Sequence, residues 1–293
     1  MRAFIDTRDL LNIFNHSRPI SASGLGELFV RRGHQLVIPF SLISELIPAD
    51  NNPIVVARRF VKIEEDIPHV FLQQKSLPDE EIKRAAIDVS SGRAPAAYEP
   101  YVQNFRDLWS EGFDPIFLMD LDRTIGKRKM SFQIDLLVQQ KPQIFHWSQA
   151  EAEQAVRALE QEQQAIKSGP AKQAFRDAVA RWLIRAGLQG SDSSINQFAD
   201  LLRRNPRIAP GWRLYEEVFD QLARDKQFKP TVNDVWDLAH VAMLPYVDAL
   251  TLDKNKVNLV QQATRRLREF DGALDYPSRV FASVNELLAE LDA

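Results

Sequence analysis

The amino-acid sequence predicts an α/β fold with a central parallel sheet and a large, mainly helical insertion. Short apolar runs followed by amphipathic helices open the chain, and the same alternation closes it. Between these ends lies a long stretch in which apolar residues recur at helical spacing. The two ends together have the size of one ordinary domain. We therefore expect a discontinuous α/β domain over residues 1–70 and 231–293, and a mainly helical insertion over residues 71–230.

Composition limits the kinds of site that the chain can carry. It has 293 residues, 45% of them hydrophobic and 26% charged, as is ordinary for a soluble globular protein. It has no cysteine, which excludes disulfides and leaves oxygen and imidazole groups as metal ligands. The N-terminus carries Asp6, Arg8 and Asp9 where a signal peptide needs an apolar run, and no later stretch is apolar enough to span a membrane. We therefore expect a cytoplasmic protein without a membrane segment.

Two strand-to-helix units come first. Residues 3–6, an apolar run that ends on an aspartate, predict a short buried strand, and residues 10–14 have the spacing of a helix. Residues 35–39 predict a second strand, followed by a helix over residues 41–47 for which Ser41 is a suitable N-cap. Residues 54–74 have the pattern of a further helix.

The middle of the chain, residues 77–228, is mostly helical in pattern. Residues 150–167 are rich in Ala, Glu and Gln, which favour helices. Residues 114–122 fit either a strand or a buried connector. Two further helices each place apolar residues on one face: Phe175, Val179, Trp182, Leu183 and Ala186 on the first, and Trp212, Tyr215, Phe219 and Leu222 on the second.

The alternation of strands and helices returns at the C-terminal end. The pattern predicts a helix over residues 234–244, a strand over 246–252 and a helix over 259–270. A last strand over 279–283 and a short helix over 284–291 follow.

Acidic residues lie at the ends of these strands and near the starts of these helices. Carboxylates are costly there unless they bind something, and ligands of parallel α/β sheets collect outside the carboxyl ends of the strands. Converging carboxylates repel one another, so a divalent cation is their natural partner. One or two Mg²⁺ or Mn²⁺ ions suit such a cleft and support phosphodiester hydrolysis. The residues are Asp6 at the end of the first strand, Glu45 in the helix after the second, Asp234 and Asp237 at a later helix start, and Asp253 after a late strand.

In these residues the chain resembles the PIN-domain nucleases. That family opens on Asp-Thr-x-x-Leu-Leu, and here the opening is Asp6-Thr7-Arg8-Asp9-Leu10-Leu11. The family's second acid corresponds to Glu45, and its closing Thr-x-Asp corresponds to Thr251-Leu252-Asp253. For the acid that opens the later helix, Asp237 is followed by the better match, whereas Asp234 fits the spacing of the smallest members. The resemblance covers the two ends of the chain and none of the insertion.

The resemblance implies a three-layer α/β/α PIN-like domain and a divalent-metal-dependent endoribonuclease that acts on RNA. The residues that would hold Mg²⁺ or Mn²⁺ and carry catalysis are Asp6, Glu45, Asp237 and Asp253. Thr7 and Thr251 would orient carboxylates or water, Asp234 would support Asp237, and Asp248 would either extend the metal site or bond to nearby backbone or a lysine. The insertion would form a lid or wall over the nucleic acid. An inhibitory partner protein, as toxin-type members have, and a homodimer are both compatible with this reading.

Other interpretations stay open at this point. Arg8 stands where the family usually has a small polar residue, so it could pair with Asp9, reach a phosphate or mark a weakened metal site. A weakened site would make the chain a catalytically inactive PIN-like binding or scaffold module. A nuclease acting on DNA fits the same residues. Glu45 also suits simple complementation of a helix dipole, and a lone histidine such as His240 is more typical of packing than of metal binding.

Overall fold

In the computed structural model, the described strands form one mostly parallel sheet. The strands are β1 (Arg2–Phe4), β2 (Gln35–Pro39), β3 (His69–Leu72), β4 (Tyr101–Val102), β5 (Ala249–Thr251) and β6 (Arg279–Phe281). Their order across the sheet is β4-β3-β2-β1-β5-β6, with β4 antiparallel to β3 and all other neighbours parallel. The structure describes residues 1–16, 19–39, 41–42, 45, 53–73, 77–96, 98–102, 143–168, 171–185, 187–225, 227–272, 276 and 279–292.

Helices connect the strands and fill the middle of the chain. They are α1 (Thr7–His16), α2 (Ala22–Arg32), α3 (Pro53–Asp66), α4 (Leu77–Ser90), α5 (Gln143–Ser168), α6 (Ala171–Arg185), α7 (Asp192–Arg204), α8 (Pro210–Arg224), α9 (Val232–Met243), α10 (Lys254–Phe270) and α11 (Val284–Asp292). Residues 41, 42 and 45 are also helical and follow β2. Short 3-10 helices lie at Pro206–Ile208 and Leu244–Tyr246.

The predicted α/β class is confirmed by this sheet and its helices, and the arrangement is compatible with three layers. After their first residues, Arg2 and Gln35, β1 and β2 are apolar and buried, as expected for parallel strands that are covered on both faces. The fully buried residues of the first two strands and the position after β1 are Ala3, Phe4, Ile5, Leu36, Val37 and Ile38. Because these residues are packed in the core, the ends of the two strands are held in defined positions.

Several of the predicted elements are wrong in part, and two of them differ from the structure next to a proline. The helix predicted over residues 54–74 ends at Asp66, and residues 69–72 are a strand, because Pro68 interrupts the helix and an apolar run follows it. The strand predicted over residues 246–252 begins only at Ala249, since Leu244–Tyr246 is a 3-10 helix that contains Pro245. The sheet also contains an antiparallel edge strand, β4, that the sequence did not predict.

The main hydrophobic core combines residues from both ends and from the middle of the chain. Side chains of α5 and α8, such as Leu159, Leu214 and Phe219, are buried in the same cluster as the central strands. A second cluster lies among α4, α6, α7 and α8 around Trp212, which is fully buried. The division into a domain over residues 1–70 and 231–293 and an insertion over residues 71–230 stays a prediction. In the structure, β3 crosses its first boundary.

None of the described helices combines the length and the apolar character that crossing a membrane requires. The apolar run over residues 114–122, predicted as a strand or a buried connector, lies outside the described residues.

Candidate metal centre

Two adjacent central strands place Asp6 and Asp253 at the same edge of the sheet. β1 and β5 are parallel, and Phe4 is paired with Leu250. Asp6 lies two residues after the end of β1, and Asp253 lies two residues after the end of β5. Their strands run in the same direction, so both carboxylates follow the carboxyl ends, where ligands of parallel sheets bind. This part of the predicted site depends only on strand pairing.

Helix α9 adds three polar residues to this edge. Its N-cap is Thr231, whose hydroxyl accepts a hydrogen bond from the Asp234 N–H in a reciprocal capping box. Asp234, Asp237 and His240 follow at intervals of three residues and therefore share one face of the helix. The capping box fixes where α9 begins and so fixes which residues point toward the strand ends.

His240 is the most deeply buried member of the group. Its side chain is fully buried and stacks at a tilt on Phe4, with the ring centroids 4.8 Å apart. Nε2 lies 2.8 Å from the Ser41 hydroxyl, whereas Nδ1 is buried, lies 3.9 Å from Asp6 Oδ1 and has no hydrogen-bond partner among the described residues. Burial lowers the pKa of His240 to about 3, so the ring is neutral and one of its nitrogens carries a free lone pair.

Glu45 approaches the same point from the helix after β2. Its Oε1 lies 3.9 Å from His240 Nε2, and its Oε2 accepts a short hydrogen bond from the Thr7 hydroxyl. One ligand atom from each of Asp6, Glu45 and His240 lies within 4.8 Å of the others, close enough for the three residues to hold a metal ion. Thr7, predicted to orient a carboxylate, lies where it can do so.

The carboxylates act on one another electrostatically. Burial, together with the charge of Asp237, raises the pKa of Asp6 to about 6 against the lowering effect of Arg8. Burial raises the pKa of Glu45 to about 8 against the Thr7 hydrogen bond, with Asp6 and Asp237 adding to the rise. Burial also raises the pKa of Asp237, and Asp234 and Asp253 act in the same direction. The four predicted ligands therefore form one cluster of mutually repelling groups.

Lys256 lies among these acids. It is the third residue of α10, its side chain is nearly buried, and its Nζ lies 2.5 Å from Asp234 Oδ1 and 3.5 Å from Asp237 Oδ2. Burial acts to raise the pKa of Asp234, but the hydrogen bonds from Lys256 and Thr231 outweigh it and leave this pKa below its usual value. Asp234 thus bonds to Thr231 in the capping box and to Lys256. The charge of Asp237, in contrast, also raises the pKa of Asp6 and of Glu45.

Asp253 is the most exposed of the four predicted ligands. It caps α10 by accepting a hydrogen bond of 2.9 Å from the Asn255 N–H, and its other oxygen lies 3.5 Å from Arg8 Nη1. Arg8 is about half exposed and also lies 3.9 Å from Asp9 Oδ1. The guanidinium therefore lies beside the acids, as its place in the sequence suggested, and retains an exposed surface.

Thr251 fixes the loop that carries Asp6. Its fully buried hydroxyl accepts a hydrogen bond of 2.7 Å from the Asp6 N–H and donates to the carboxylate of Asp9. Asp9 also accepts a bond of 3.1 Å from the Val284 N–H. Thr251 therefore contacts the predicted site through the backbone N–H of Asp6, and its role in orienting the site stays a prediction.

Asp248 does not extend this site. It lies just before β5, is exposed, and accepts a hydrogen bond of 2.6 Å from the Arg2 N–H. Arg2 begins β1 and Asp6 follows it four residues later, roughly 13 Å along an extended strand. Of the two roles open to Asp248 in the sequence, the structure has the bond to nearby backbone, at the opposite end of the strands.

Sequence reasoning missed the contributions of His240 and Lys256. The spacing of Asp234, Asp237 and His240 was a visible signal, since all three fall on one helical face. Lys256 in the first turn of a helix was another, because a cation there opposes the helix dipole and needs acidic partners. Neither signal shows by itself which atoms meet.

The fold and the site define the class of protein: an α/β protein with a candidate metal centre at the carboxyl edge of its parallel strands. Comparisons of the chain with protein-family models, with curated proteins and with solved structures found no match. The resemblance to PIN-domain nucleases therefore depends on the residues of this chain alone.

Proposed function

We propose that the protein is a PIN-like, divalent-metal-dependent nuclease that hydrolyses phosphodiester bonds and acts on RNA. The observation that carries the proposal is the convergence of Asp6, Glu45 and His240, with Asp237 beside them, at the carboxyl edge of the parallel sheet. The PIN-like form of the three layers belongs to the same proposal. It is supported by the order of the acidic residues along the chain and by their meeting at one edge.

The residues present fit a divalent cation. Two carboxylates and a neutral imidazole form a mixed oxygen and nitrogen donor set. The lone pair of buried His240 Nδ1, which has no partner in the described part of the chain, is otherwise costly. Mg²⁺ and Mn²⁺ both accept carboxylate ligands, and the imidazole ligand favours Mn²⁺ over Mg²⁺. When bound, such an ion polarises phosphoryl oxygens and lowers the pKa of water.

The chain's own residues orient these ligands. The Ser41 hydroxyl accepts from His240 Nε2–H in the tautomer that leaves Nδ1 free to bind, as outer partners of metal-ligating histidines do. Thr7 holds Glu45, and Thr251 holds the backbone of Asp6. Asp237 completes the negative field, while the exposed Arg8 lies where it can contact a phosphate of the substrate.

A cleavage assay tests the proposal. Purified protein is incubated with labelled RNA and with labelled DNA of the same sequence, with Mn²⁺ or with EDTA. We expect RNA cleavage with Mn²⁺ and none with EDTA. Asp6→Asn should abolish cleavage without unfolding the protein, because the amide removes a ligand charge but leaves the Asp6 N–H bonded to Thr251.

Asp248→Asn is the matched control, since it makes the same change at the opposite end of the strands, and it should cleave like the unmodified protein. Retained cleavage by Asp6→Asn would overturn the assignment. Cleavage of DNA but not RNA would leave the metal chemistry standing and change the substrate.

A second candidate is a catalytically inactive PIN-like binding or scaffold module. Two ion pairs favour it: Arg8 with Asp253, and Lys256 with Asp237. These cations already compensate two of the four predicted ligands. Absence of any Mn²⁺-induced thermal stabilisation would favour this candidate over the nuclease.

A further inference from the structure

The titratable groups of the candidate site form two halves that differ in their ion-pair partners. The inner half is Asp6, Glu45 and His240, and the outer half is Asp234, Asp237 and Asp253. Among the described residues, no lysine or arginine forms an ion pair with Asp6 or Glu45. The outer half, in contrast, pairs with Lys256 and Arg8.

Lys256 is a nearly buried lysine that contacts two acids of the outer half. Its side chain is only 11% exposed, and its ammonium lies between two carboxylates, at 2.5 Å from Asp234 and 3.5 Å from Asp237. A lysine in the first turn of a helix faces the positive end of the helix dipole, and burial adds a desolvation penalty. The two carboxylates offset both costs, so the lysine and these acids depend on one another.

The inner half has a feature that points to a ligand. His240 is fully buried, and its Nδ1 faces Asp6 without a hydrogen-bond partner in the described part of the chain. An imidazole nitrogen left unpaired 3.9 Å from the Asp6 carboxylate, on a ring whose other nitrogen lies 3.9 Å from Glu45, is a ready metal ligand. In the outer half, the corresponding space next to Asp237 is taken by the Lys256 ammonium.

We propose that the cluster takes a single divalent cation, at Asp6, Glu45 and His240, and that Lys256 is the permanent cation of the outer half. Two-metal phosphodiesterase sites hold their ions about 3.5–4 Å apart, a spacing at which one carboxylate can bind both ions. Asp237 is the carboxylate placed to be shared, and Lys256 engages it. The lysine thereby excludes a second ion and holds Asp237 in place. This inference rests on the metal site of the proposed function.

Metal stoichiometry tests it without relying on activity. Mn²⁺ is titrated into the full chain, with bound Mn²⁺ followed by electron paramagnetic resonance and by calorimetry. We expect one ion per chain for the unmodified protein and two for Lys256→Met. Lys254→Met is the matched control, because Lys254 is an exposed lysine in the same turn of α10, and it should still bind one ion.

The double variant Lys256→Met with Asp234→Asn covers the case in which Lys256→Met alone does not fold. It removes the lysine together with one of its two acids and leaves Asp237 and Asp253 for a second ion, so it should also bind two. Two ions bound by the unmodified protein, or one ion bound by a folded variant without Lys256, would overturn the single-ion inference while leaving the nuclease proposal intact. No ion bound by the unmodified protein would overturn the metal site itself.

Discussion

At the scale of single residues, Glu81 is a buried carboxylate that does not belong to the metal centre and is satisfied by hydrogen bonds. It lies in α4, and its oxygens accept hydrogen bonds from the N–H groups of Gly211 at 3.0 Å and Trp212 at 2.6 Å, and a short bond from the Tyr246 hydroxyl. The two N–H groups belong to the first turn of α8, where intrahelical partners are lacking. Glu81 thus caps a helix 130 residues away in the chain.

This residue predicts a pH dependence of stability. Burial raises the pKa of Glu81 to about 7, above its value of 4.5 when unfolded. The stabilisation is therefore fully present below pH 4.5 and is lost as the pH rises through 7, by at most about 1.4 kcal/mol per pH unit for one proton. Glu81→Gln does not titrate, so the stability difference between the unmodified protein and the variant should shrink from pH 5 to pH 8.

Urea denaturation at four pH values in EDTA measures this difference. Other buried acids also titrate in this range; burial raises the pKa of Glu216, for example, to about 8. These acids titrate in both proteins, so their contributions cancel in the stability difference. Parallel stability curves for the two proteins would contradict the prediction.

At the scale of elements, one close helix contact depends on a glycine. A Cβ built on Gly26 in α2 would lie 1.5 Å from the backbone carbonyl oxygen of Asp66, the last residue of α3. Gly26→Ala should therefore force the two helices apart and destabilise the protein by about 3 kcal/mol, the upper part of the usual range for overpacking. Chemical denaturation checks this value.

Gly190→Ala is the comparison for this helix contact. The nearest atom to its added Cβ would be Ile195 Cγ1 at 3.5 Å, an ordinary contact. It should change the free energy of unfolding by less than about 0.5 kcal/mol. Equal effects of the two substitutions would show that the α2–α3 contact can relax.

At the scale of the whole molecule, the acid cluster makes stability depend on metal. Repulsion among Asp6, Glu45 and Asp237 opposes folding when no cation is bound, and a cation that binds only the folded state stabilises it. At 100 times its dissociation constant, Mn²⁺ should add about 2.7 kcal/mol and raise the melting temperature by several degrees. Asp6→Asn should lose this shift, and Asp248→Asn should keep it. A shift of equal size in both variants would place the ion elsewhere.

Much of this architecture could be predicted from local sequence pattern. The helix of residues 234–244, the strand of residues 35–39 and the acids after the first and late strands are set by apolar spacing within a few residues. The predicted acids Asp6, Glu45 and Asp237 act on one another because parallel strands bring their carboxyl ends together. The antiparallel β4 and the exact start of β5 depend on neighbours distant in the chain.

The sequence by itself determined the α/β class and the candidate ligands Asp6, Glu45, Asp237 and Asp253, because strand and helix periodicity and carboxylates at strand ends are local properties. Only the tertiary structure decided that His240 faces Asp6 while it shares a hydrogen bond with Ser41, 199 residues away. It also decided that Lys256 forms an ion pair with Asp237. It also decided that Asp248 lies at the other end of the strands. The physical reason is that burial and partner choice depend on which surfaces pack together, and the pattern along one segment does not specify its neighbour.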